Sequence, residues 1–234
     1  MTQHQALLEI AALVAGALGR HVAPTVVKHA RKTTARILPH KPAVPSLHYP
    51  AFGVDYAYGR PNPRKLYAAG VRWVGRYLSP DPAKNLTRAE SAGLAAAGIK
   101  RVLVWESTAN RALDGIDAGI ADARQALHQA NVLGAPSEVT IYFAIDFDAT
   151  GPDVKPYFEG VRSVLGARTG AYGGYTALAY LRDQKVADKV WQTYAWSGGR
   201  WLAGAQLLQY DNGRDMFGVQ VDFDHATTSD CGWW

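Results

Sequence analysis

Residues 139–148, VTIYFAIDFD, decide the fold. Side chains of a strand alternate between its two faces. Ile141, Phe143, Ile145 and Phe147 share one face, and Thr140, Tyr142, Ala144, Asp146 and Asp148 share the other. A wholly apolar face belongs under a layer of helices. The opposite face ends in two carboxylates, and in a (β/α) barrel it points inward, with active-site groups at the C-terminal strand ends.

The neighbouring sequence repeats this unit. Strands are expected at 51–56, 71–78, 99–106, 168–173, 189–196, 205–210 and 218–224, and helices at 61–69, 87–97, 114–131, 153–165 and 176–184. Strand–helix alternation predicts a parallel sheet with crossover helices. Eight strand signals within about 180 residues predict a compact α/β, TIM-like (β/α) barrel over 51–234. The last connections are short, so the later helices are expected to be reduced. A doubly wound open sheet is the alternative, but no glycine-rich phosphate loop follows the first strand.

The same alternation finds acids elsewhere. Asp55 shares a face with Gly53, Glu106 follows the parity of Val102 and Val104, and Asp222 and Asp224 share a face with Gln220. Four strands therefore end in inward carboxylates: Asp55, Glu106, Asp146/Asp148 and Asp222/Asp224. Arg76, Tyr172, Gln192 and Gln209 fall near strand ends, as do the aromatics Tyr175 and Trp196. One terminal aspartate more often caps the next helix. Four converging strands point to a shared mouth, where crowded carboxylates raise one another's pKa. One can then hold a proton while another stays ionised, as glycoside hydrolysis requires. Magnesium or calcium is a competing use of such oxygens. Zinc is disfavoured, because only His225 lies near these acids. No G-x-S-x-G elbow supports a serine triad. No cofactor or resident metal is expected.

Composition adds bounds. Hydrophobic residues make up 48% of the 234, enough for a sizeable core, and Cys231 is the single cysteine, which excludes an intrachain disulfide. The net charge of +5 is uneven: residues 1–50 hold six of 25 Lys/Arg and one of 20 Asp/Glu, so the remainder carries 19 of each. A neutral body disfavours specific nucleic-acid binding. The excess defines a helical basic extension over 1–38, and four prolines in 39–50 define a linker. Basic residues within 20–41 suit an anionic polymer, a membrane surface or a virion protein. The apolar run 5–19 is interrupted by Glu9 and is shorter than the about 20 residues of a membrane span. No positive n-region precedes it, so neither a span nor a signal peptide is expected.

The stretches FGVDYAYG (52–59), VRWVGRYL (71–78), IYFAIDFD (141–148), TGAYGGY (169–175), WQTYAW (191–196), LLQYD (207–211) and VQVDFD (219–224) occur in family order. Together they resemble the glycoside-hydrolase-like domain known as domain of unknown function 1906, a relative of the family-twenty-five (Chalaropsis-type) lysozymes. The resemblance covers about residues 51–228. It implies a barrel acting on peptidoglycan glycan strands at the cell wall, in a phage lysin or an actinobacterial envelope protein. In the muramidases the fourth-strand motif is Asp-x-Glu, with the Glu as general acid. Here Asp148 takes that place, one methylene (about 1.5 Å) shorter.

The resulting expectation is cleavage of a β-1,4 glycan linkage. Asp148 is the expected proton donor, with Glu106 the alternative. Asp146 orients the sugar, its acetamido group or a water, while Asp55 and Asp222 shape the charge at the anomeric centre. Arg76, Tyr172, Tyr175, Gln192, Trp196, Gln209 and Asp224 are expected to bind substrate. A non-catalytic wall-binding module or virion component is the second expectation, and a metal-dependent hydrolase the third.

Overall fold

In the computed structural model, residues 43–44 and 51–234 are described. The helical extension expected over 1–38 and the basic stretch 20–41 lie outside them, as does the linker apart from Ala43 and Val44.

Eight strands close into a barrel in sequence order. They are β1 (Ala51–Asp55), β2 (Trp73–Leu78), β3 (Lys100–Trp105), β4 (Ile141–Ala144), β5 (Thr169–Gly173), β6 (Lys189–Thr193), β7 (Leu207–Met216) and β8 (Val219–Ala226). Five helices connect them: α1 (Pro63–Ala68), α2 (Arg88–Ala96), α3 (Gly115–Leu133), α4 (Gly151–Leu165) and α5 (Tyr175–Asp183). This is the expected TIM-like barrel, and closure excludes the doubly wound alternative. No helix separates β6 from β7, as the short connections predicted.

The expectation of an all-parallel sheet fails at the end of the chain. β1 to β7 run parallel, but β8 is antiparallel to both β7 and β1. The turn at Phe217 and Gly218 leaves no length for a crossover, so the chain can only return as a hairpin. The consequence for the site is direct. β8 enters at the mouth and descends, so Asp222 pairs with Asp55 at the top while Asp224 pairs with Gly53 one layer deeper.

Helix ends follow local chemistry. Asn62 caps α1, its Oδ1 accepting from the Arg64 and Lys65 N–H groups, and Pro63 supplies a preset first turn. α3 stops at Gly134, whose φ of 75° is the left-handed cap that glycine favours.

The core has two parts. Between sheet and helices lie Val54, Val74, Leu103, Ile141, Phe143, Val190 and the apolar helix faces. Inside the barrel lie Trp73, Val102, Val104, Tyr142, Trp191 and Leu207. The alternation read from 139–148 is thus realised: Ile141 and Phe143 face helices, and Tyr142 and Ala144 face inward. Wide interior rings need empty places opposite them. A Cβ on Gly75 would lie 2.4 Å from the Trp191 ring. α3 and α4 cross with backbones in contact, since a Cβ on Gly119 would lie 2.0 Å from the Tyr157 carbonyl oxygen. The tail closes the opposite end: Trp233 packs 6.2 Å from Trp73, and Tyr142 donates to the Cys231 carbonyl at 3.0 Å.

Candidate active site

The mouth holds a cavity of about 260 Å³. Its polar lining comes from the ends of successive strands: Asp55 from β1, Tyr77 from β2, Glu106 after β3, Asp146 after β4, Tyr172 from β5, Thr193 from β6, Gln209 from β7 and Asp222 from β8. A shallower depression of about 500 Å³ shares Asp55, Tyr77 and Asp222 with it and continues past Tyr58. The two form one extended cleft.

Gln209 organises the floor. Its Oε1 accepts from the Tyr172 hydroxyl and the Thr193 hydroxyl, each at 2.8 Å. Its Nε2 donates to Asp55 Oδ2 at 2.8 Å and to Asp222 Oδ2 at 3.2 Å. Two hydroxyl donors fix which end of the amide is oxygen, so the N–H groups must face the two carboxylates. Tyr77 donates to Asp55 Oδ1 at 3.3 Å, and the Gly213 N–H donates to Asp222 Oδ1 at 2.9 Å.

The electrostatics follow from burial. Asp55 is 3% exposed. Desolvation first and Asp222 second push its carboxyl up to about 7, against the hydrogen bonds of Gln209, Asp224 and Tyr77. Asp222 is raised by burial and then by Asp146, and is held down by the Gly213 N–H. Asp146 is exposed, yet partial desolvation and then the charge of Glu106 raise its carboxyl, with Lys84 opposing. Lys84 pairs with Glu106 at 3.2 Å and sits 5.2 Å from the Tyr77 ring centre. Among the described residues no cluster of His, Cys, Asp and Glu is suited to hold a metal ion.

The walls are aromatic. Tyr172 and Trp191 meet edge-on at 5.3 Å. Trp196 overhangs the cavity, is 37% exposed, and has a φ of 55°, a left-handed conformation that a bulky residue rarely holds. Ser197 fixes that loop: its hydroxyl donates to the Thr193 carbonyl at 2.6 Å and accepts from the Tyr175 N–H at 3.0 Å.

Asp55, Glu106, Asp146, Asp222, Tyr172, Trp196 and Gln209 therefore come together as the sequence predicted. Five others do not line the cavity. Asp148 lies exposed on the turn into α4: β4 ends at Ala144, Asp146 N–H bonds the Ala109 carbonyl instead of a strand, and alternation ceases. Arg76 points outward between β2 and α2, donating to Glu90 at 2.8 Å and to the Tyr56 carbonyl. Gln192 also faces outward, donating to Ser197 Oγ at 2.9 Å and accepting from the Leu202 N–H at 2.7 Å, so it supports the Trp196 loop from behind. Tyr175 begins α5 and stacks on Arg200 at 4.1 Å. Asp224 is fully buried below the floor. Sequence reading missed Tyr77 and Thr193, each the strand neighbour of a polar residue chosen in its place. Parity with Trp73 and Gly75 marks Tyr77 as inward, and parity with Trp191 marks Thr193. Lys84 comes from a loop, and Asn212 lies in β7 where its pairing with β8 shifts register between Asp211 and Arg214, so simple alternation marks neither.

A closed barrel whose mouth gathers carboxylates between aromatic walls is a glycoside-hydrolase-like barrel. The chain belongs to the Rv2525c-like, glycoside hydrolase-like domain family, whose model matches residues 64–226. The Tat-secreted protein Rv2525c of Mycobacterium tuberculosis, solved with L-tartrate, is 26% identical over 79% of this chain and 98% of its own, with a TM-score of 0.75. Two further solved structures share the fold. The Streptococcus pneumoniae autolysin LytC, solved with a synthetic peptidoglycan ligand, is 13% identical over 81% of this chain and 48% of its own, with a TM-score of 0.59. A family 25 glycosyl hydrolase from Bacillus anthracis is 14% identical over 82% of this chain and 94% of its own, with a TM-score of 0.52. The Bacillus subtilis protein YbfG is 36% identical over 108 residues, 41% of this chain and 15% of its own length. FadG from the same organism is 28% identical over 115 residues, 45% of this chain and 20% of its own. The chain thus spans a fifth or less of those relatives. No helix among the described residues is long and apolar enough to cross a membrane.

Proposed function

We propose that this barrel is a peptidoglycan-directed glycoside hydrolase that cleaves β-1,4 linkages of the glycan strand. The observation that carries the reading is the pair Asp55 and Asp222, held by one amide of Gln209, with Asp146 and Glu106 lining the same cavity. The extended cleft gives room for sugars on both sides of the scissile bond.

The roles follow from protonation. The Asp55–Asp222 pair holds a proton near neutral pH, with Asp55 raised to about 7. Asp55 is the donor to the leaving oxygen, a role that passes from Asp148 because Asp148 does not line the cavity. A donor poised near the working pH is the efficient one. Asp146, nearer solvent and opposite the Lys84–Glu106 pair, orients the acetamido group or a water, and Asp222 shapes the charge at the anomeric carbon. Tyr172 and Trp196 flank the sugar.

The test is a reducing-end assay on purified peptidoglycan, with wild type beside Asp55→Asn and Asp146→Asn. Release by wild type that both variants lose supports the assignment. Full activity in both variants sinks it. The exposed position of Asp148 favours one other reading, a wall-glycan-binding module or virion component without turnover. That reading predicts co-sedimentation with purified walls and no new reducing ends.

We further propose that the protein acts at the cell wall, delivered by a phage or secreted, and that basic residues within 20–41 contact an anionic polymer, a membrane surface or a virion protein. Retention on anionic vesicles or walls that survives deletion of 1–41 would refute that contact.

A further inference from the structure

Asp224 is a buried acid inside the barrel that no step above uses. It lies on β8 one inward position below Asp222, across from Gly53, and is wholly shielded from solvent. Its Oδ1 accepts from the Trp191 indole N–H at 2.8 Å. Its Oδ2 is buried with no donor directed at it. An ionised carboxylate there would leave lone pairs unsatisfied in a dry interior, which costs several kcal/mol.

The surroundings offer no compensating cation. From β1 comes Asp55, from β6 the neutral Trp191 indole, from β7 the amide of Gln209, and along β8 Asp222. Tyr77 and Tyr172 stand at the floor beside Asp55, and Lys84 is turned to Glu106. His225 faces the other side of β8, stacked on Tyr210 at 4.4 Å. No described ion pair involves Asp55, Asp222 or Asp224. Two neighbouring carboxyls and no cation favour a proton on the most deeply buried of the three.

We propose that Asp224 is a positioning residue held as a neutral carboxylic acid, whose Oδ2–H donates to the Asp55 carboxyl and sets how tightly Asp55 keeps its own proton. This rests on the reading of Asp55 as the proton donor of the cleft. The geometry has a mechanical logic. Gln209 and Tyr77 already hold Asp55 from the side, at Oδ2 and Oδ1, and Asp224 adds a donor from below. Burial, then Asp55, raise the Asp224 carboxyl well above the usual carboxylate range, and the hydrogen bond from Asp224 acts on Asp55 in the opposite direction, lowering it.

Asparagine separates the neutral acid from the carboxylate. Its carbonyl oxygen can accept from Trp191 and its N–H can donate to Asp55, so Asp224→Asn copies the acid but not the anion. The experiment is a carboxyl-carbon NMR titration of the full chain with labelled aspartate, comparing wild type, Asp224→Asn and Asp224→Leu. The expected result has three parts. The signal lost in Asp224→Asn is that of a protonated carboxyl in wild type at pH 7. The Asp55 midpoint in Asp224→Asn stays within about half a pH unit of wild type. In Asp224→Leu, which removes the donor, it rises by about one pH unit. A fall of one pH unit or more in Asp224→Asn, from loss of a neighbouring negative charge, overturns the proposal. So does an Asp224 signal that titrates in the ordinary carboxylate range. If Asp224→Leu does not fold, the isosteric Asp224→Asn decides alone. The titration needs no substrate, so the hydrolase reading fails separately, in the reducing-end assay.

Discussion

Replacing Asp55 by Asn should make the protein more stable near neutral pH and above, by an amount that grows with pH. Burial and Asp222 raise the Asp55 carboxyl from 3.8 to about 7 in the folded chain. The unfolded chain releases that proton near pH 4, so between about pH 4 and 7 the folded state binds more protons than the unfolded one, and stability falls as pH rises. At about 1.36 kcal/mol per pH unit, the penalty is under about 1 kcal/mol at pH 4, about 2 at pH 5 and about 4 at pH 8. Asparagine carries no charge and escapes the whole dependence. Its loss of one acceptor costs about 1 kcal/mol, because Gln209 and Tyr77 both donate to Asp55, but that cost is the same at every pH. The difference in unfolding free energy, Asp55→Asn minus wild type, should therefore start slightly negative at pH 4 and climb by about 3–4 kcal/mol by pH 8. Urea unfolding at fixed temperature across that range reads it through the midpoint at constant slope. A difference that stays flat within about 0.5 kcal/mol between pH 4 and 8 would refute the claim that Asp55 holds a raised proton, and with it the donor role.

Activity should follow the same protons: peptidoglycan cleavage declines as pH rises through about 7, where Asp55 loses its proton, and an unchanged rate from pH 6 to 9 would contradict it. Asp146→Asn should lower reducing-end release at least about a hundredfold, whereas Asp148→Asn, altering an exposed turn, should stay within about threefold; the reverse ranking would return the acid to Asp148. Gly119→Ala drives a methyl into the Tyr157 carbonyl across the α3–α4 crossing and should cost about 3 kcal/mol, a fall of roughly 6–12 °C in the melting temperature, and a shift under 2 °C would show that the helices separate without strain. Trp196→Gly relieves a φ of 55° while removing a wall of the cavity. It should keep or raise the melting temperature and weaken sedimentation with cell walls about tenfold; unaltered wall binding would remove Trp196 from the cleft's function.

The fold was legible because two periodicities dominate the chain. Strands β1 to β6 combine a helix-facing apolar side with an inward side closed by a polar or aromatic residue, and the helical stretches between them are long enough to be distinct. The direction of β8 was not legible, because alternation is the same read up or down a strand. Only the shortness of the Phe217–Gly218 turn distinguishes a hairpin from a crossover. That single ambiguity misplaced Asp224. With β8 taken as parallel, Asp224 ends the strand at the mouth. With β8 reversed, Asp222 takes the mouth and Asp224 the floor beneath it.

The other misplacements share one physical cause: the phase of the strand, not the polarity of the side chain, decides which residue near a strand end faces the cleft. Arg76 and Gln192 are polar and near strand ends, yet each is out of phase with the tryptophan that fills the interior, Trp73 on β2 and Trp191 on β6. A buried outward Arg or Gln is stable when the loops it faces supply partners, and here Glu90 and Ser197 do. Such residues still act on the site at one remove. Arg76 donates to the Lys84 carbonyl at 3.1 Å, and so holds the loop from which Lys84 reaches Glu106. Gln192 holds the loop that bends Trp196 over the cavity. The phase of a strand thus divides its polar residues into those that face the cleft and those that shape it from outside. Asp148 fits neither group, because the strand that would have set its phase ends at Ala144.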